Sequence, residues 1–173
     1  TVSSTMAASS SKEVFLPATP HLDHYRLIGK HSLRVSPLCL GTMNFGTKWN
    51  WMGEITKDTA EKIFDTYVNR GGNFIDTANK YHEGETEEWL GEWIAKRGIR
   101  EDLVLATKFS LPMKNPQGSY SINNAGNGRK HMFHALDESL KRLRTHYVDI
   151  TYVHFHDFTT KPQELMRSLD DRS

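Results

Sequence analysis

Leu103-Val104-Leu105-Ala106-Thr107-Lys108 reads as a strand: a short, uninterrupted apolar run closed by a charged residue. Continuous rather than alternating apolar character marks a strand covered on both faces, as in a parallel sheet. On its amino-terminal side, Thr86 opens an expected helix with a buried stripe of Trp89, Leu90, Trp93 and Ile94, closed near Gly98. Asn73-Phe74-Ile75-Asp76 is a brief strand before it. Earlier still, Thr56 is the expected N-cap of a helix with Ala60, Ile63, Phe64, Tyr67 and Val68 at i, i+3, i+4, i+7 and i+8, stopped by Gly71-Gly72. Pro37-Leu38-Cys39-Leu40-Gly41 is a short buried strand, preceded by a hairpin in which Tyr25–Ile28 and Leu33–Val35 flank Gly29–Ser32.

On the carboxyl-terminal side, a loop rich in Asn, Gly, Pro and Ser runs from Ser110 to Gly128. A third helix carries Met132, Ala135, Leu136, Leu140 and Leu143 on one face. Tyr147 to His154 forms a fourth strand, and Thr160 caps a last helix bearing Leu165, Met166 and Leu169. Strand and helix therefore alternate four times after the hairpin, which implies an α/β fold with a parallel sheet covered by helices. No internal duplication, linker or second domain interrupts residues 21–173, and the Ser/Thr-rich stretch over 1–20 is expected to be a flexible tail.

The 173 residues suit one domain. With 22 Lys+Arg against 21 Asp+Glu, charge gives no reason to expect a nucleic-acid or membrane-surface partner. The single cysteine, Cys39, can form neither an intramolecular disulfide nor a Cys-based zinc site, and no metal site is expected. No apolar run approaches the roughly 20 residues of a membrane-spanning helix. The first eleven residues hold seven Ser or Thr and lack the charged start and apolar stretch of a secretory signal. A cytoplasmic globular domain is the expectation.

Three strands end in an ionisable side chain: Asp76, Lys108 and His154. In parallel α/β folds, ligands and catalysis sit at the carboxyl ends of the strands. One such residue is ordinarily a solvated loop residue, and an Asp and a Lys can be a structural ion pair. Three on successive strands would share one rim, and Tyr81 lies in the loop over it, five residues after Asp76. A phenol is protonated at neutral pH. A neighbouring ammonium stabilises the phenolate left when the proton is given, and a carboxylate can hold that ammonium. The four groups together make a proton-donating site for a carbonyl becoming an alkoxide. None of them supplies two electrons, so a hydride-carrying cofactor is required.

Leu40-Gly41-Thr42-Met43-Asn44-Phe45-Gly46, then Gly72-Asn73-Phe74-Ile75-Asp76-Thr77-Ala78 with Tyr81, Gly84, Glu87 and Gly91, resemble the aldo-keto reductase superfamily. Ala106-Thr107-Lys108-Phe109 and Asp149 through His154 extend the match. Arg34–Leu40, the Trp-containing insert before Met52-Gly53-Glu54, and Asp157-Phe158-Thr159-Thr160 are most similar to the fungal aryl-alcohol dehydrogenase and norsolorinic acid reductase branch. The resemblance implies the first four βα units of a (β/α)8 TIM barrel and an NADP(H)-dependent interconversion of an aldehyde or ketone with its alcohol. The substrate would be aromatic or polyketide-like, with a place in fungal secondary metabolism.

Position by position, the resemblance makes Tyr81 the general acid and Lys108 the residue that tunes it. Asp76 would pair with Lys108 and lie against the nicotinamide ribose, and His154 would orient the substrate carbonyl. Gly41, Thr42 and Met43 would line the nicotinamide pocket. His156 competes with His154 but falls where this branch usually has an aromatic residue. His82, His131, His134 and His146 are expected to be surface polar residues. Trp49 and Trp51 either wall the substrate pocket or pack their own loop.

A full barrel of this type needs roughly 250 residues, so the barrel is expected to be incomplete. The absent half would hold the nicotinamide amide contacts and the basic residues for the adenosine phosphate. A catalytically impaired half-barrel remnant is therefore a second reading, and a non-enzymatic binding module a third. Open barrel edges would favour self-association of two copies.

Overall fold

The computed structural model describes residues 21–115 and 117–172; the expected tail over 1–20 lies outside them. The hairpin forms as β1 (Arg26–Leu27) and β2 (Arg34–Val35), paired antiparallel. Then come β3 (Leu40–Gly41), α1 (Lys57–Asn69), β4 (Phe74–Asp76), α2 (Glu85–Arg97), β5 (Val104–Phe109), α3 (Arg129–Arg142), β6 (Ile150–Val153) and α4 (Pro162–Asp170). The sheet runs in the order β3-β4-β5-β6, every pair parallel, so the expected four βα units stand side by side as a partial barrel.

Local chemistry sets the helix ends. The Thr56 hydroxyl accepts from the Thr59 amide at the start of α1, as expected. Gly98, at φ 65°, closes α2 in the left-handed conformation that glycine adopts without strain. Two expected caps are replaced. The N-cap of α2 is Gly84, because the Thr86 hydroxyl donates instead to the Phe45 carbonyl at 2.6 Å. The N-cap of α4 is Lys161, because Pro162 occupies the first turn and the Thr160 hydroxyl is held by Asp157 at 2.6 Å.

One core fills the space between the sheet and the first two helices of the barrel. Ala60, Phe64 and Tyr67 of α1 meet Leu90, Trp93 and Ile94 of α2 over Ile75 and Leu105, with Trp89 partly buried beside them. Burying an aromatic side chain such as Phe64 is worth about 1.5–3 kcal/mol. A smaller cluster joins Phe109 to Met132 and Ala135, with Leu165 and Leu169 against it. Met166, expected on that apolar face of α4, is instead exposed.

Two polar clamps join the layers. Glu87 of α2 accepts from the Thr107 hydroxyl of β5 at 2.6 Å and from Arg142 Nε of α3 at 2.8 Å. Asp149 accepts from the Leu105 amide and from Arg100, both at 2.8 Å, and so fixes β6 beside β5. At the amino ends of the strands, Asn73 ties the hairpin to β4: its Oδ1 accepts from the Ser36 amide and its Nδ2 donates to the Arg34 carbonyl.

Gly91 of α2 lies against the carboxyl-terminal end of α3. A Cβ there would stand 2.3 Å from the Arg142 carbonyl oxygen and 2.7 Å from Leu143 Cα, and backbone cannot swing aside as a side chain can. Gly91→Ala should therefore destabilise the fold by about 1–3 kcal/mol through overpacking. The measurement is the urea midpoint; an unaltered midpoint would mean that these helices are free to separate.

Candidate active site

Strand register sorts the side chains before any contact is considered. Gly41 pairs with Asp76, Asp76 with Ala106, and Lys108 with Tyr152. Side chains alternate faces along a strand, so Asp76, Lys108 and His154 share one face, with Cys39 and Gly41 on it too. Leu40, Ile75 and Leu105 point to the other face, under the helices. The expected rim is formed.

Lys108 is its centre. Its Nζ lies 2.5 Å from Asp76 Oδ2, 3.0 Å from the Thr77 carbonyl and 3.0 Å from the Tyr81 hydroxyl. Only 15% of the Lys108 side chain and 25% of the Asp76 side chain are exposed, so water screens the pair weakly. Tyr81 is itself buried, with Lys108 Nζ 4.8 Å from its ring centroid. His154 stands edge-on to Tyr81, ring centroids 6.0 Å apart and planes at 80°. Burial, then the positive charge of Lys108, push the His154 pKa down, against a smaller upward pull from Asp76. At neutral pH His154 is a neutral hydrogen-bonding group. His156 is exposed and stacks edge-on with Phe158, away from these contacts.

Thr42 is fully buried and spends both its amide and its hydroxyl on the Asp76 carbonyl, each at 3.0 Å. It braces Asp76, and its hydroxyl proton is already committed to that carbonyl. Gly41 is exposed with nothing within 4 Å of where a Cβ would stand, and Met43 is 38% exposed. Trp49 crosses Tyr81 at 6.3 Å with planes at 74°, and Trp51, 73% exposed, stacks on Trp49 at 5.8 Å. One of the two tryptophans therefore borders the phenol and the other extends the stack into solvent. Among the described residues, no cluster of three His, Cys, Asp or Glu could hold a metal.

The sequence reading missed several residues around this site. His82, expected at the surface, is completely buried next to Tyr81, and its pKa is lowered chiefly by that burial. It and Glu83 lie in the left-handed region, φ 47° and 57°, at a cost of about 1–3 kcal/mol each. His131 is also buried, its Nδ1 2.9 Å from Asn124 Oδ1 and its pKa lowered mainly by burial. His134 and His146 are exposed, as expected. Ser110 holds the backbone of His154: its Oγ accepts from the His154 amide at 3.2 Å and donates to Asn127 Oδ1 at 2.5 Å. Cys39 lies on the same sheet face as Asp76 and Lys108. Desolvation, then the charge of Asp76, pushes its thiol up to about 11.

The three depressed histidines fix how the fold responds to acid. Each binds its proton less readily when folded than at the ordinary unfolded value of about 6.5. The unfolded chain therefore takes up more protons as pH falls from 7 towards 5, and stability falls with it. Asp157, held well below the usual carboxylate range by Thr160, Asn127 and Thr159, adds a further loss at lower pH. Circular dichroism melts should show a lower Tm at pH 5 than at pH 7. A Tm constant across that range would contradict the burial of these imidazoles.

Comparison with known proteins follows the same lines. The model of the aldo/keto reductase family matches residues 37–172. The chain is 45% identical over 161 residues to the aryl-alcohol dehydrogenase GME11368 of Pestalotiopsis microspora, covering 90% of this chain and 42% of that protein. It is 49% identical over 151 residues to norsolorinic acid reductase B of Dothistroma septosporum, covering 86% and 38%. An aryl-alcohol dehydrogenase (NADP(+)) of Phanerodontia chrysosporium is 42% identical over 159 residues, with 88% and 41% covered. The chain thus spans about two-fifths of the length of these curated relatives. Among solved structures, the aldo-keto reductase AKR11C1 of Bacillus halodurans in its holo form superposes with a TM-score of 0.69 at 28% identity, over 85% of this chain and 45% of that one.

Proposed function

The chain belongs to the aldo/keto reductase family, and on that premise we propose that it carries the catalytic rim of an NADP(H)-dependent oxidoreductase interconverting an aldehyde or ketone with its alcohol. The observation that carries this reading is the position of Lys108 Nζ, within hydrogen-bond distance of both Asp76 and Tyr81. An aromatic or polyketide-type carbonyl compound is the substrate class. It is supported by the tryptophans beside Tyr81 and by the printed names of the fungal relatives.

The residues present fit a flat nicotinamide group. Gly41, paired with Asp76 at the rim, leaves open the space that any side chain would fill. A nicotinamide cofactor held there would supply a hydride, one hydrogen nucleus carrying two electrons, for the carbonyl carbon. Tyr81 then donates its hydroxyl proton to the carbonyl oxygen, which completes the alcohol. Lys108, fixed by Asp76 and the Thr77 carbonyl, stabilises the negative charge left on the Tyr81 oxygen. His154, neutral beside Tyr81, offers a hydrogen bond to the same carbonyl and orients it. In the oxidative direction Tyr81 takes the proton back.

Tyr81→Phe should lower carbonyl reduction by roughly 10²–10⁴-fold, the usual contribution of a general acid, while tryptophan quenching by NADPH is retained. An aromatic aldehyde with NADPH, followed by loss of nicotinamide absorbance, provides the assay. Turnover equal to the unsubstituted chain in the Tyr81→Phe variant would show that another group gives the proton.

A further inference from the structure

The turn Tyr81–Gly84 sends two side chains in different directions. Tyr81 reaches Lys108, and His82 passes beneath the tryptophan loop. What His82 meets there is specific. Its Nδ1 accepts from two successive amides, Lys48 and Trp49, each at 3.1 Å. Its ring stacks on that of Trp49, centroids 5.1 Å apart and planes at 29°. Gly46 makes room for it, since a Cβ at Gly46 would stand 2.2 Å from the imidazole Cγ. Next to this, Glu85 accepts from the Thr47 amide at 2.6 Å, and a bridge between Gly46 and Ile55 closes the loop at its base.

Three consecutive amides of one loop are thus held by two side chains, His82 of the turn that carries the phenol and Glu85 at the start of α2. An imidazole nitrogen can accept from them only when it bears no proton, so His82 must be neutral with its hydrogen on Nε2. We infer that His82 is a positioning residue, which locks the Lys48–Trp49 backbone so that the Trp49 ring stands against Tyr81 and selects flat aromatic carbonyl substrates. The selectivity part rests on the reductase reading above. The position of Trp49 does not.

The test uses the full chain labelled with 5-fluorotryptophan, with the Trp49 fluorine resonance assigned from Trp49→Phe. His82→Leu removes the acceptor. His82→Asn keeps one, because Asn Oδ1 can occupy the place of Nδ1 and Asn tolerates the left-handed backbone. The resonance of buried Trp93 reports whether each variant is folded. The Trp49 signal should move to a solvent-exposed position in His82→Leu and return close to its original position in His82→Asn. A Trp49 signal unmoved in folded His82→Leu, or moved equally by both substitutions, overturns the positioning role.

With NADPH, KM for benzaldehyde relative to that for an aliphatic aldehyde should rise about tenfold in His82→Leu and recover in His82→Asn. A ratio unaltered while the resonance moves overturns the selectivity role. If the unsubstituted chain reduces neither aldehyde, the reductase reading and the selectivity role fail together, and the resonance alone still judges the positioning of Trp49.

Discussion

A lysine ammonium brought largely out of water needs oxygen atoms around it, and Lys108 finds three: a carboxylate, a backbone carbonyl and a phenol. Removing either partner of such a half-buried pair leaves the other charge poorly solvated, so the pair is held more tightly than a surface salt bridge would be. The remaining features of the rim serve this contact. Thr42 braces the Asp76 backbone, and the buried carboxylate of Glu87 fixes β5 through Thr107, the residue before Lys108.

The distance between these groups is set by the sheet. Parallel register places Asp76 opposite Ala106, two residues short of Lys108, so the carboxylate and ammonium lie on the same face with a diagonal offset that a lysine side chain spans easily. Tyr81 is not on a strand. It reaches the pair because the chain turns sharply through His82, Glu83 and Gly84 in left-handed conformations before α2 begins. The same turn that delivers the phenol delivers His82 to the tryptophan loop. The phenol and the support of Trp49 are therefore built on one short segment, and a shift in either would be felt by the other.

Much of this architecture was legible in the sequence because the signals were local and repeated. Continuous apolar runs gave the strands, periodicity gave the helices, and charged residues at strand ends gave the rim. What was missed depends on contacts between distant segments. Nothing near His82 in the sequence marks its burial, which is created by Gly46 and Trp49, more than thirty residues earlier. His131 had a signal that could have been used: it falls on one face of α3 with Ala135 and Ser139, both buried, at helical spacing. Pro162 likewise pointed to Lys161 as the N-cap of α4. The burial of Thr42 had no such mark, because its partner is a backbone carbonyl.

The most direct test of the account is a double-mutant cycle between Asp76 and Lys108, with unfolding free energy in urea measured for Asp76→Asn, Lys108→Met and the double variant. The account predicts that the double variant loses less than the sum of the single losses, with an interaction energy of about 0.5–3 kcal/mol, the range for residues in direct contact. Strict additivity of the two losses would contradict it: the carboxylate and the ammonium would then not be joined.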